Sequence, residues 1–555
     1  MVYELVWIRM FAIALGSSTY SFTLMVAAFI TGIALGSLAV GAFSSLRKHP
    51  LTEFAQAEIV IAFALLASIP MYERLPHTFW VLSTLMQPTA ANFWLHNLMK
   101  YSLCFGVMVV PTIFFGMTLP FAIKACAHRD DRIGRESGVI YGWNTVGTVV
   151  GALLTGLVLI PIIGLRHSLE LALIVNVLLG AVLLWASGGA RTWRASLGIP
   201  VLAVVIMATL HGWHPASFAV GTFREQGLAP PWREFRRSLS SMRVAYYGED
   251  GNATVAVLAV PTPTMGTGLI LKVNGKSDAS SHWDMPTQIL LGQIPMTLKP
   301  AARDALVVGL GSGMTAGSVL THPDARVDCV EISPAVAAAL PCFDEANHRV
   351  RTNPRFHLMI EDALTYAAVT PKRYDAVISE PSNPWIAGVG NLFSEEFFRS
   401  ADRVLKPGGL LAQWFHAYEM SDDLVAVVLR TVRKVFPYAY IFQATQTDYI
   451  IVAGREPIRL DVAGMEREFR IPAVRDDLRR IKIDSPLAVL ARQTCSPAKT
   501  AELAGKGITN TENLPVLEYR APLALWTKQT ARSFLRADER TKRPGALLRA
   551  QYPRG

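Results

Sequence analysis

Three acidic residues, Glu331, Asp362 and Glu380, each follow a short apolar run, downstream of Gly309-Leu310-Gly311-Ser312-Gly313. Val327-Asp328-Cys329-Val330 precedes the first, Ile360-Glu361 the second and Ile378-Ser379 the third. In an open α/β sheet, residues at the carboxyl ends of the strands surround the ligand. Glycines let the backbone approach that ligand, and the start of the following helix offers free N–H groups. A carboxylate eighteen residues beyond the last glycine suits a ribose diol. In the same frame Asp362 suits an exocyclic amine, and Glu380 stands where a reacting group would lie. Any one of these acids alone reads as a solvated strand end. A glycine turn plus acids on successive strand ends reads as a nucleoside site. Its candidate contacts are Gly309, Gly311, Ser312, Gly313, Glu331 and Asp362, with Glu380 as the candidate catalytic group.

The elements that must position these residues follow from periodicity. Ala305–Leu310, Arg326–Val330, Phe356–Ile360, Tyr374–Ile378 and Leu410–Phe415 read as strands. Helices at Met314–Leu320, Pro334–Phe343, Leu364–Ala368 and Ser394–Leu405 alternate with them, which is the rhythm of a doubly wound parallel sheet. After a helix at Leu424–Val435, strands at Ala439–Gln443 and Tyr449–Val452 form a closing antiparallel hairpin. That ending is closer to an S-adenosyl-binding methyltransferase sheet than to a nicotinamide dehydrogenase. Before the sheet, Val244–Tyr247, Ala253–Val260 and Gly268–Val273 read as strands of a small β-region. The Asn274-Gly275 turn signal and a helix at Met285–Met296 follow.

The first 212 residues are of another kind. The chain has 555 residues, 51% hydrophobic, and the apolar excess is concentrated here. Ser17–Phe43, Glu53–Tyr72, Leu98–Ile123, Gly138–Ile163, His167–Ala186 and Ala195–His211 are candidate membrane spans. The opening, Met1 to Arg9, reads as the end of a helix or a short helix, with Glu4 pairing Arg9 at the interface. Trp80 to Trp94 is amphipathic and suits a membrane surface. Gly32 with Gly36, and Gly147 with Gly151, are spaced for close helix contact in lipid. Asn144 and Thr145 beside them read as interhelical hydrogen-bonding groups. Basic residues at Arg47, Lys48, Lys124, Arg129, Arg132, Arg135, Arg191 and Arg194 place their loops in the cytoplasm. If Ala195–His211 crosses, the soluble half lies on the other face, whereas a nucleoside cosubstrate argues for the inside. The net charge of +10 is spread over both halves, which excludes the dense basic face of a nucleic-acid binder. The five cysteines, Cys104, Cys126, Cys329, Cys342 and Cys495, show neither metal spacing nor a disulfide framework.

Several segments resemble the spermidine synthase family of polyamine aminopropyltransferases. Ser379-Glu380-Pro381-Ser382-Asn383-Pro384-Trp385 and Asn391-Leu392-Phe393-Ser394-Glu395-Glu396-Phe397 are similar to its signature block. Leu271-Lys272-Val273-Asn274-Gly275-Lys276-Ser277-Asp278 resembles the approach to its substrate pocket. Asn510 to Tyr519, Tyr3 to Trp7, Gly116 to Pro120 and Tyr141 to Gly147 resemble the branch fused to a multi-pass membrane domain.

The resemblance implies aminopropyl transfer from decarboxylated S-adenosylmethionine to an amine, with no tightly bound cofactor and no metal. It implies Glu380 as the base, and Asp278, Asp284 and Asn383 at the acceptor. The sequence departs from the family's pattern at four places. Glu380 stands for an aspartate, Asn383 for a second acid, Ser312 for an acid in the glycine turn, and Gln288-Ile289-Leu290 for acceptor contacts. Asp278 and Asp284 also read as turn and helix-capping residues, Trp385 and Trp414 as buried aromatics, and His416 as a hydrogen-bonded neighbour of the site. Two other functions compatible with the residues are methyl transfer from intact S-adenosylmethionine, and a non-catalytic transporter or scaffold.

The expected architecture is an α-helical transmembrane domain followed by an α/β Rossmann-like domain of the S-adenosylmethionine-dependent methyltransferase type. In order it comprises a domain of six or seven helices (1–212), a linker (213–240), the small β-region with its helix (241–300), the Rossmann-like domain (301–455), a helical extension (456–527) and a basic tail (528–555). The expected setting is a cell membrane, a bacterial inner membrane. The expected partners are the lipid bilayer and a small-molecule amine, with no nucleic acid and with homo-oligomers allowed.

Overall fold

The computed structural model describes residues 1–42, 49–126, 133–188, 190–210, 212–225, 227–262 and 266–542. Arg47, Lys48, Arg129 and Arg132 of the basic loops, Arg543 and Arg549 of the tail, Phe43, His211 and the side chain of Arg191 lie outside the described residues.

The small β-region is a four-stranded antiparallel sheet in sequence order: β1 (Arg243–Glu249), β2 (Thr254–Thr262), β3 (Gly266–Val273) and β4 (Lys276–Ser280). The turn between the last two strands takes positive φ at Asn274 (48°) and Gly275 (80°), as a tight hairpin requires. β4 is an addition to the expected strands. Its sequence, Lys-Ser-Asp-Ala-Ser, carries no alternation of apolar side chains to announce it.

The main sheet contains β5 (Asp304–Val308), β6 (Arg326–Glu331), β7 (Phe356–Ile360), β8 (Tyr374–Ser379), β9 (Leu405–His416), β10 (Tyr438–Gln443), β11 (Asp448–Gly454) and β12 (Gln493–Cys495). Their spatial order is β7-β6-β5-β8-β9-β11-β10-β12. β5 to β9 pair in parallel, and β11 runs antiparallel to β9 and β10. The order reverses beside β5, so a crevice opens at the carboxyl ends of β5 and β8. Along β5, Ala305 and Val307 face one core while Leu306 and Val308 face the other. This period of two explains why the strand is apolar throughout. β12 lies in a stretch expected to be helical, and pairs on the outer edge of β10.

Four helices among the described residues are long and apolar enough to cross a membrane: Thr19–Ala42, Pro50–Tyr72, Phe93–Cys126 and Ile133–Ala186. The last joins two expected spans. At 1.5 Å per residue it would be roughly 80 Å long, too much for one crossing. It breaks at Gly164, where φ is 77° and ψ 173°. There Glu249, at the end of β1, accepts a hydrogen bond from Leu165 N–H at 2.6 Å. The kink is therefore where the small sheet docks. The apolar helix Trp193–Thr209 is shorter than these four.

Val2–Leu15 is a separate helix of 14 residues. Val6, Phe11 and Ile13 are fully buried. Arg9 does not pair with Glu4. It donates to Asp250 O at 3.0 Å and Thr254 Oγ1 at 3.3 Å in the small sheet, while Glu4 Oε2 is buried without a hydrogen-bond partner. The helix thus connects the two halves from within.

The two glycine pairs behave differently. A Cβ on Gly36 would lie 1.8 Å from Ile113 O, and one on Gly32 would lie 1.9 Å from Thr112 Oγ1. Thr19–Ala42 and Phe93–Cys126 therefore touch backbone to backbone. Gly147 meets nothing within 4 Å, and its helix Ile133–Leu154 buries no residue. Thr145 Oγ1 donates to Tyr141 O on its own helix, so it bridges no pair of helices. The linker is partly helical at Pro215–Ala219 and Trp232–Ser241. Trp80 packs on Phe235 of the second and donates to Gly227 O at 3.2 Å, while Trp94 stays exposed.

Candidate active site

A cavity of about 700 Å³ occupies the crevice. That volume suits a small molecule or a pair of them. Seven carboxylates line it (Asp278, Asp284, Glu331, Glu361, Asp362, Glu380 and Asp448) against two cations, Arg9 and Lys276.

The glycine turn follows β5 with positive φ at Gly309 (89°), Gly311 (52°) and Gly313 (76°). A Cβ at Gly309 would approach Glu380 O to 2.9 Å, so the turn must be bare for β8 to end beside it. Gly309 and Gly311 line the cavity; Ser312 and Gly313 do not. Ser312 is a correction to the expected donor contact. Its side chain is fully buried beneath the turn and donates to Gln288 Oε1, whose amide in turn donates to Ser280 O.

Glu331 ends β6 and is buried. Leu310 N–H donates to its Oε2 at 3.0 Å, and Ser333 N–H to its Oε1 at 2.9 Å. Burial raises its pKa, and the two backbone donors pull it back. Each oxygen keeps a lone pair for a hydroxyl of a ligand. Asp362 accepts from Thr365 N–H at 2.8 Å and so caps the next helix, while also lining the cavity.

Glu380 follows β8 and lines the cavity with an acidic wall made by Asp278 and Asp284. Its pKa is pushed up to about 7, first by burial and then by the charges of Asp284 and Asp278, with Thr315 opposing. Thr315 Oγ1 lies 2.7 Å from Glu380 Oε2 and 3.1 Å from Gln288 O. A hydroxyl has one proton. When Glu380 is ionised Thr315 donates to it; when Glu380 is protonated it can donate to Thr315, which turns to Gln288 O. Both states are therefore satisfied, as a proton-accepting group requires.

The acceptor-side candidates are arranged less simply. Asp284 stands at the N-terminus of Met285–Leu298 but its side chain makes no capping bond, and burial raises its pKa. Asp278 is in strand β4, not a turn, and its Oδ1 is 2.5 Å from both Lys276 Nζ and Ser382 Oγ. Lys276, only 6% exposed, thus half-neutralises the wall. Asn383 is buried with its Nδ2 2.7 Å from His416 Nε2. Burial and then Lys276 push the His416 pKa down to about 3, so the imidazole is neutral and can accept from that amide. Trp414 donates to Asp448 Oδ1 at 3.3 Å, and both line the cavity. Trp385 is buried against Phe223.

Lys276, Asp448 and Arg9 line the site although the sequence reading does not count them among its contacts; it places Arg9 in a pair with Glu4 and Lys276 only in the approach to the pocket. Asp448 had a usable signal. It opens the antiparallel β11 and pairs with His416, so the start of that strand lies at the carboxyl edge of its neighbours. Arg9 had none.

The Spermine/spermidine synthase domain family matches residues 285–451. The polyamine aminopropyltransferase of Desulforudis audaxviator is 30% identical over 161 residues, 29% of this chain and 58% of that protein. That of Mycobacterium tuberculosis H37Rv is 39% identical over 115 residues, 20% of this chain and 22% of that protein. The chain thus spans from about a fifth to under two thirds of the length of these relatives. Among solved structures, spermidine synthase from Thermotoga maritima aligns with 19% identity and a TM-score of 0.39, covering 47% of this chain and 87% of that one. Human methyltransferase-like protein 13 in complex with SAH aligns with 20% identity and a TM-score of 0.29, covering 36% and 91%.

Within the matched residues lie the glycine turn, Glu331, Asp362, Glu380, Asn383 and Asp448. Outside it lie Asp278, Lys276 and the roof of the cavity. That roof is Ile8, Ala12, Phe22 and Met25 from the first two helices, with the Gly16–Ser18 joint between them. Ala387 N–H donates to Ser17 O at 2.9 Å, and Gly388 N–H to Glu518 Oε2 at 3.1 Å. Asn510 Nδ2 donates to Gly390 O at 2.8 Å. The loop beyond Glu380 is in this way tied to the N-terminal half and to the C-terminal extension.

Proposed function

We propose that this protein is a membrane-bound aminopropyltransferase. It moves an aminopropyl group from decarboxylated S-adenosylmethionine to a small amine. The observation that carries the reading is Glu380, a carboxylate tuned toward neutrality in an acidic cavity of a spermine/spermidine synthase domain. The neutral acceptor nitrogen attacks the methylene carbon attached to the sulfonium. A C–N bond forms, the C–S bond breaks, and methylthioadenosine leaves with the electron pair on sulfur. The new ammonium gives its proton to Glu380. Glu331 holds the ribose diol, and Asp362 with the glycine turn holds the rest of the adenosine. Asp278 and Asp284 orient the cationic acceptor. The four long apolar helices support a setting in a cell membrane, and the bilayer and the amine are the partners this reading implies.

Lys276 favours a second reading. A buried cation beside the wall suits the carboxylate of intact S-adenosylmethionine, and methyl transfer would follow. Full-length protein incubated with each donor and with putrescine or spermidine separates the two. Methylthioadenosine release from the decarboxylated donor is expected. S-adenosylhomocysteine release would establish methyl transfer instead, and no binding of either donor would remove both.

A further inference from the structure

A second cavity, of about 440 Å³, lies beside the acidic one, across the Gly16–Ser18 joint. It is bounded by the start of Phe93–Cys126, by Leu75–Thr84 and by the C-terminal helix Val516–Trp526. Its walls are largely aromatic and aliphatic, and Leu228 at its edge is 87% exposed. Three polar groups inside it are incompletely satisfied: one cation lacks a counter-charge and two ring nitrogens lack a hydrogen-bond partner. Lys100 is 9% exposed and donates only to Leu15 O at 3.2 Å and Ser21 Oγ at 3.5 Å; among the described residues no carboxylate pairs with it. His96 is 5% exposed and stacks on Trp526 at 3.8 Å, with Nδ1 buried and unpartnered. Trp385 is fully buried, and its indole N–H has no acceptor.

Burying a cation with no counter-charge and two polar nitrogens with no partner is destabilising. Native proteins keep such groups where a ligand completes them. With Glu225 and Lys528 also lining the space, its charge is net positive, the reverse of the catalytic cavity. We propose that this cavity binds an amphiphile with an anionic head, a phosphate or a carboxylate. The head accepts from Lys100 and the buried nitrogens, and the apolar tail lies among Phe79, Phe93 and Leu525. Phe93–Cys126 is of membrane-spanning length, so a bilayer lipid reaches this mouth at the depth of its headgroup. Trp385 lies two residues beyond Asn383, and Gly16 and Ser18 line both cavities. The occupant therefore braces the loop that closes the catalytic site.

The test uses the full chain in dodecyl maltoside and measures binding of radiolabelled dodecyl phosphate and laurate. Both should saturate at one site per chain and displace each other. Inorganic phosphate and dodecyltrimethylammonium should displace neither. Lys100→Met should weaken binding about tenfold or more, the loss expected for a charge-assisted hydrogen bond. Should Lys100→Met not fold, His96→Phe decides, since it keeps the ring on Trp526 and is expected to weaken binding about threefold. Undiminished binding in the folded variants overturns the proposal. So does displacement by dodecyltrimethylammonium, which would mean tail recognition only, or by inorganic phosphate, which would mean a free-anion site. None of these readouts depends on aminopropyl transfer.

Discussion

The floor of the catalytic cavity and its roof are assembled from chain of very different separation. The glycine turn, Glu331, Asp362 and Glu380 fall within about seventy residues, at neighbouring ends of β5 to β8. The roof brings Ser17 to Ala387 and Glu518 to Gly388 and Thr19. One follows from strand topology; the other depends on the N-terminal half being folded and in place. The floor should therefore govern the donor and the chemistry, and the roof should govern the acceptor and the stability of the closed site.

The largest effect belongs to the floor. Glu380→Gln should lower turnover by about 10²- to 10⁴-fold, the usual contribution of a general base, with donor Kd nearly unchanged by equilibrium binding. Retained turnover would take Glu380 out of the proton transfer. Glu331→Gln should raise donor Kd by about tenfold or more while leaving acceptor KM in place, since it removes a charged acceptor from the diol. For the roof, Glu518→Ala removes the bonds to Thr19 and Gly388. Acceptor KM should rise, with a loss of about 1–3 kcal/mol of thermal stability and little change in donor Kd. If Glu518→Ala weakens the donor as much as Glu331→Gln does, floor and roof are one unit and the distinction fails. The glycine pairs affect stability alone, and the smallest effect of all is at Gly147. Gly36→Ala should destabilise the N-terminal half by about 1–3 kcal/mol, because its Cβ would overlap Ile113 O. Gly147→Ala should leave the melting temperature where it was, and an equal loss from both would mean that Gly147 is packed in the working protein.

The same division explains what the sequence disclosed. β5 to β9 each carry a local apolar run, and the acids at their ends are found by counting from the glycine turn. β4 escaped because Lys276–Ser280 has no apolar alternation, and with it went the pairing of Lys276 and Asp278. Ser312 was placed by its position in the turn, but its side chain turns inward to Gln288, which no spacing rule reports. The short helix Val2–Leu15 reads as apolar because it is buried within the protein, and composition does not separate that from burial in lipid. The roof leaves no local trace: nothing near Ser17 announces Ala387.

The most direct test of Glu380 as the base is the pH dependence of methylthioadenosine release by the full-length protein, with decarboxylated donor and diamine. A base must be ionised to act. Since burial raises the Glu380 pKa to about 7, kcat should rise with pH through that value and fall about tenfold per unit below it. Glu380→Gln should abolish the rise along with the activity. A kcat that is flat down to about pH 5, the range of an ordinary carboxylate, would contradict the account.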